Sequence, residues 1–218
     1  MMVDGMAKKT DNHNPKAKLD LRRYFLSKYH AEISCRVLDC CQGSGLLWST
    51  LRREFAVERY WGLDMKPKKG RLSIDSSRVL AQAGLDYDVI DIDTYGSPWK
   101  HWEALLPNIY QPVTVFLTVG MVAVGGTPLT KEAKEALGLG QIKPPNAIVA
   151  KLNGFAVGYC LARCYAYDTM AIEAVEASGA AGHARYIGVR LTPVKNEQPE
   201  CQSGCPEHAQ SEKETENV

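Results

Sequence analysis

The 218-residue chain has no long hydrophobic run. No apolar stretch approaches the roughly twenty residues that a bilayer-spanning helix needs, which argues against a membrane span. Met1 to Asn14 is polar and lacks the apolar segment of a secretory signal, so a cytoplasmic setting is expected. There is no disulfide framework either. The seven cysteines make an odd count, and Cys40 and Cys41 are adjacent; a reduced environment fits better. Cys160 and Cys164, and Cys201 and Cys205 with His208, lack the spacing of a tetrahedral zinc site. The first pair reads as small buried residues and the second as incidental tail residues. No internal repeat is present.

Net charge is almost absent at +1, but it is unevenly spread. Basic residues outnumber acidic ones from Met1 to Arg78, with clusters at Lys8-Lys9, Lys16 and Lys18, Arg22-Arg23, and Lys66, Lys68, Lys69 and Arg71. The stretch after Val194 is acidic. This asymmetry permits a phosphate-rich partner on one face, or simply a solvated basic face. Hydrophobic content of 45% and charged content of 23% are ordinary globular values, and the length suits one well-buried domain. That domain is expected over 16–194, with polar ends at 1–15 and 195–218 lacking the apolar content to fold.

Apolar spacing predicts a helix from Lys16 to His30 and a buried strand from Cys35 to Asp39. A helix over Leu46–Phe55, a strand over Arg59–Asp64 and a short strand over Leu72–Asp75 follow. Ser76 is the expected N-cap of a helix running to Ala83. Strands are expected at Tyr87–Ile92 and Val113–Val119, separated by a helix from Pro98 to Leu106. A loop (Gly120–Thr127), a short helix (Lys131–Leu137) and a linker (Gly138–Pro145) come next. Asn146–Ser178 reads as helix-rich, and Arg185–Leu191 as a late strand. Strands alternating with helices predict an α/β fold, a mostly parallel sheet with helices on both faces.

The chemistry is concentrated where strands end. The first strand closes on Asp39 and runs into Cys40-Cys41-Gln42-Gly43-Ser44-Gly45, where Gly43 and Gly45 let backbone approach a ligand. About twenty residues on, the second strand closes on Asp64, where a nucleotide-binding unit puts a carboxylate on the ribose. A dinucleotide fingerprint would need a third glycine where Trp48 stands, and no Gly-Lys-Ser/Thr follows for a phosphate loop. An acid ahead of the glycines would repel a pyrophosphate but suits a ligand carrying an ammonium.

Across roughly Arg36 to Val119 the sequence resembles the class I S-adenosylmethionine-dependent methyltransferases. The resemblance implies a Rossmann-like sheet. It also implies that Asp39, Gly43 and Gly45 hold the methionine end of the cofactor, that Asp64 takes the ribose, and that Asp75 with Ser76 recognises the adenine. Asp91, further along, is either another cofactor contact or a buried, capping carboxylate; the residues leave both open.

The next strand ends Asp91-Ile92-Asp93-Thr94-Tyr95-Gly96-Ser97-Pro98. Methylating an exocyclic base amine needs an acceptor for its N–H groups and a surface on which the base can stack. Asp93, the Thr94 carbonyl and Tyr95 have those types in that order. The stretch resembles the tRNA guanine-N2 dimethyltransferases, whose pattern is Asp-x-Asp-Pro-Tyr/Phe-Gly-Ser-Pro. By that resemblance Asp93 contacts the amine, Tyr95 stacks on the base and Gly96 keeps the turn tight. Thr94 departs from the family's proline, and the chain is short for that family's additional C-terminal domain. Trp99, His101 and Trp102 read as packing residues. Metal-dependent O-methyltransferases share the Asp-x-Asp pattern but need further oxygen ligands after the next strand; Val119-Gly120-Met121-Val122 supplies no carboxylate, so no metal site is expected. The expectation is an N-methyltransferase acting on nucleic acid, RNA ahead of DNA. A small-molecule or protein methyltransferase and a non-catalytic binding subunit are the alternatives.

Overall fold

Six strands make one sheet in the computed structural model, which describes residues 14–66, 72–94, 96–120, 134, 139–142, 155, 157–178 and 184–194. They are β1 (Cys35–Asp39), β2 (Val57–Gly62), β3 (Val89–Ile92), β4 (Val113–Gly120), β5 (Thr169–Ser178) and β6 (Ala184–Pro193), in the order β2-β1-β3-β4-β6-β5. The first four run parallel, whereas β6 is antiparallel to both β4 and β5. β4 is buried from Val113 to Val119, as a strand covered on both faces must be.

Alternation along the strands sorts their side chains into two cores. On one face Val37, Val89 and Phe116 meet Leu21, Phe25 and Leu26 of α1 (Pro15–Tyr29) and Trp48 and Leu51 of α2 (Leu46–Leu51). On the other, Leu38, Ile90, Val115 and Leu117 meet Val79 and Leu80 of α3 (Ser76–Leu80), together with Trp99, Trp102 and Leu105 of α4 (Trp99–Leu105). The expected packing roles of Trp99 and Trp102 are thus met, and Cys160 and Cys164 are buried in the same core. Phe25 lies so close over β6 that a methyl group on Gly188 would overlap its ring.

α1 buries Lys18, Leu21, Arg22, Phe25 and Leu26, a stripe at helical spacing with two cations inside it. Pro15 occupies its first turn, where a missing N–H costs nothing.

Several elements differ from expectation. Leu72–Asp75 is not a strand: the Ile74 N–H reaches back to the Asp64 carbonyl at 3.0 Å and the Ser73 hydroxyl to the Met65 carbonyl at 2.7 Å, without a strand ladder. Asp75, not Ser76, caps α3, accepting from the Ser77 N–H at 3.0 Å. The helix after the glycine turn stops at Leu51. The largest departure is Thr169–Ser178, the end of the segment read as helix-rich, which pairs along its length with β6. Propensity yields there to tertiary contact: Glu173 accepts hydrogen bonds from Tyr24 (2.7 Å), Tyr29 (2.6 Å) and Lys28 (2.7 Å) of α1. Of the expected polar ends, 1–13 and 195–218 lie outside the described residues, as do 121–127 of the expected loop, most of Lys131–Pro145, and 146–154 and 156 of the segment read as helix-rich; Pro15 instead opens α1 and Gly120 closes β4. Among the described residues no helix is long and apolar enough to cross a membrane.

Candidate functional site

From β1 the chain steps outward to β2, then returns to place β3 on the other side of β1. Such a reversal opens a crevice beyond the carboxyl ends of the two central strands. Asp39 and Asp91 stand side by side in register at the ends of these strands, and the Cys40 N–H donates to the Asp91 carbonyl at 2.8 Å.

Backbone hydrogen bonds stitch one lip of the crevice together. The Leu63 N–H donates to the Asp39 carbonyl (2.7 Å) and the Gln42 N–H to the Leu63 carbonyl (2.8 Å). Gly43 and Gly45 both have positive φ, at 52° and 71°, which side chains other than glycine's tolerate poorly. That geometry turns the Gly43 N–H onto the Asp64 carboxylate at 2.8 Å, and the other Asp64 oxygen accepts from the Lys66 N–H at 2.7 Å. Through Ile74 the same lip gains Asp75 and Ser76. Asp75 also accepts from the Ser77 hydroxyl at 2.7 Å, and the Ser76 hydroxyl meets His101 Nε2 at 3.0 Å. Asp39, Gly43, Gly45, Asp64, Asp75 and Ser76 therefore form one connected rim, with His101 added to it.

The Asp39 side chain is buried, accepting from the Tyr60 hydroxyl at 2.7 Å and the Cys41 N–H at 3.3 Å. Burial and the neighbouring Asp91 charge push its carboxyl up to about 8. A group so placed gains from a cationic ligand more than from any neutral one.

The opposite lip is built differently. Asp91 is 1% exposed. Arg22 grips it from both Nε (2.7 Å) and Nη2 (2.6 Å), and Trp48 Nε1 adds a third bond at 2.7 Å. The indole that stands where a dinucleotide enzyme needs glycine thus satisfies a buried carboxylate, and of Asp91's two open readings the geometry is that of the buried one. Two residues on, both oxygens of Asp93 lie 2.6 Å from Lys18 Nζ. Burial alone would raise the Asp93 carboxyl, but Arg22 and Lys18 together hold it below the usual carboxylate range. After Asp93, Gly96 takes φ 103° and its carbonyl accepts from the Gly120 N–H at 2.7 Å. A methyl group on Gly120 would come within 3.0 Å of Gly96, so the turn docks on the end of β4. Tyr95 lies outside the described residues.

Lys18 and Arg22 were missed as site residues because they read as part of a basic face. Their signal was helical spacing: they share a stripe with Leu21 and Phe25. Other cations of the basic half are also paired, Arg23 with Glu54, Lys28 with Glu173 and Arg36 with Asp88.

No family model matches the chain, and no curated protein matches it in sequence. Among solved structures, Trm1 from Pyrococcus horikoshii in complex with S-adenosyl-L-methionine superposes with a TM-score of 0.60 at 17% identity, over 88% of this chain and 59% of that one. The chain therefore spans less than two thirds of that structure. The chain has the Rossmann-like fold of the class I methyltransferases. Candidate hemolysins from Streptococcus thermophilus (TM-score 0.54, 10% identity, 88% of this chain and 72% of that one) and Lactococcus lactis (0.54, 16%, 83% and 88%) share the architecture. One fold carries several activities, so function has to be argued from the rim itself.

Proposed function

We propose that this chain is an S-adenosylmethionine-dependent N-methyltransferase whose acceptor is a base amine of nucleic acid, RNA ahead of DNA. One observation carries the reading: Asp39, the glycine turn, Asp64 and Asp75 line one lip of the β1/β3 crevice, and Asp93 stands at the other. A likeness to Trm1, a protein that binds this cofactor, supports it.

The residues fit the group. The buried Asp39 carboxyl, lacking a side-chain cation within bonding distance among the described residues, suits the ammonium of the methionine portion. Gly43 and Gly45 leave the turn open to close approach. Asp64 would take the ribose hydroxyls, and Asp75 or Ser76 the adenine amine. When bound, the cofactor supplies an electrophilic methyl. The chain's own task is to hold the acceptor nitrogen in line with it. Asp93 and the Thr94 carbonyl would accept the amine N–H groups, and Tyr95 would stack on the base.

RNA is favoured by the Asp-Thr-Tyr-Gly-Ser-Pro turn and not by bulk charge, since much of the basic half is paired within the fold. That pairing favours a second reading, a small-molecule or protein acceptor on the same site. Calorimetry with S-adenosylmethionine, followed by labelled-methyl transfer to RNA, DNA, protein and metabolite pools, decides between them. Binding is expected, with label in RNA and a roughly 10²–10³-fold loss in Asp93→Asn. Absence of binding removes the enzyme reading, and binding without transfer to any pool leaves a non-catalytic subunit.

A further inference from the structure

Lys18 is 5% exposed, although it lies in the first half of a surface helix. Burying an ammonium is costly, and a well-packed apolar side chain usually serves stability as well or better. The helix gains nothing obvious from the charge. Lys18 Nζ instead stands equidistant, at 2.6 Å, from the two oxygens of Asp93, with the Tyr186 ring of β6 under it at 5.3 Å. The lysine is thus fixed from β3 and β6 at once. A carboxylate has about four acceptor positions, so one lysine leaves capacity on each oxygen, and the Asp93 side chain keeps 19% of its surface exposed.

We infer that Lys18 is a positioning residue for the proposed methyl transfer, fixing Asp93 as a permanently ionised hydrogen-bond acceptor for the substrate amine and not as a proton-carrying base. The inference rests on the function proposed above. The groups facing Asp93 are Arg22 and Lys18 from α1, Cys41 just after β1, the Thr118 hydroxyl from β4, and Tyr186 from β6. Of these the two α1 cations and the Thr118 hydroxyl favour the charged carboxylate. Arg22 is already committed to Asp91, which leaves Lys18 as the direct charged partner. A carboxylate held below its usual range is a weak base at neutral pH and a steady acceptor. In the transfer, the amine nitrogen gains the methyl as the methyl–sulfur bond breaks. The proton then on nitrogen passes to water, and Asp93 never needs to carry it.

The test uses Lys18→Met, Lys18→Gln and Lys18→Arg in the full chain. Glutamine can still donate to Asp93, and so covers the case in which methionine does not fold. Three quantities are read: the Asp93 carboxyl titration by carbon-13 NMR in the free protein, the pH profile of labelled-methyl transfer, and affinity for S-adenosylmethionine. In the neutral variants the Asp93 titration and the acidic limb of kcat should move up together by roughly 1–3 pH units, cofactor affinity should hold, and arginine should restore both. An active wild type whose Lys18→Met and Lys18→Gln variants keep its titration and pH profile overturns this inference alone. A wild type inactive on every acceptor pool overturns the function, and the inference with it.

Discussion

The two lips of the crevice carry acids in equal prominence and treat them in opposite ways. On the β1/β2 side, Asp39 and Asp64 are held by backbone N–H groups and a tyrosine hydroxyl. The cation paired with that rim among the described residues, Lys100, stands 3.5 Å from Asp75 and is mostly exposed, where a pair is worth little. On the β3 side, Asp91 and Asp93 are neutralised by Arg22 and Lys18, both buried and both from α1. The difference separates a lip whose negative charge is left for a ligand to compensate from one whose charge is settled within the fold. It also explains why α1, outside the alternating strand–helix units, has to cover this end of the sheet.

Removing a cation from the settled lip should have the largest effect. Arg22→Met leaves Asp91 buried with only Trp48 as a charge-free donor, and breaking such a pair costs about 3–5 kcal/mol. Urea unfolding monitored by circular dichroism would read it directly. A loss under about 1 kcal/mol, the worth of an exposed pair, would mean that the two lips do not differ in the way described.

That prediction could not have been made from the sequence. β1 and β4 were legible there because a short apolar run closing on Asp39, and a β-branched run over Val113–Val119, each have one reading. The rim was legible because its residues lie at strand ends, and strand ends are marked by glycine and acid. Arg22 and Lys18 were not, because their role depends on a partner about seventy residues away, and nothing local distinguishes a buried lysine from a solvated one beside Lys16 and Arg23. Thr169–Ser178 failed for the same reason in reverse. Alanine and glutamate speak locally for helix, whereas three hydroxyl and ammonium donors on α1, which fix Glu173 in a strand, are invisible until the fold assembles them.

On the open lip the effect should fall on binding and not on stability. Asp64 ties the glycine turn to the chain after β2 through two exposed hydrogen bonds that water can replace at little cost, whereas a ribose hydroxyl donating to its charge would make a bond of a kind worth about 1.5–3 kcal/mol. Asp64→Ala should weaken S-adenosylmethionine by roughly 10–100-fold, with unfolding little changed, as calorimetry and urea titration together would establish. A variant that unfolds without losing affinity would move Asp64 to the structural class of Asp91.

The smallest effect is the most specific. Burial and the Asp91 charge push the Asp39 carboxyl up to about 8, from 3.8 when unperturbed. Being raised, it adds most to stability below its unfolded value, and that contribution is lost as pH climbs through about 8. A cationic ligand binds the ionised form, so below that pH binding must expel a proton. Affinity should rise about tenfold per pH unit toward 8 and stop rising there, because an α-amino group begins to lose its own proton at about 7.7–8.0. Calorimetry at pH 6, 7 and 8, in buffers of different ionisation heat, measures the expelled proton. Asp39→Asn should abolish both the proton and the slope. Asp93 cannot supply them, because its carboxyl lies below the usual range and is ionised throughout this interval. A wild-type slope that survives in Asp39→Asn would therefore assign the uncompensated charge to some other group, and dissolve the contrast between the lips at its most sensitive point.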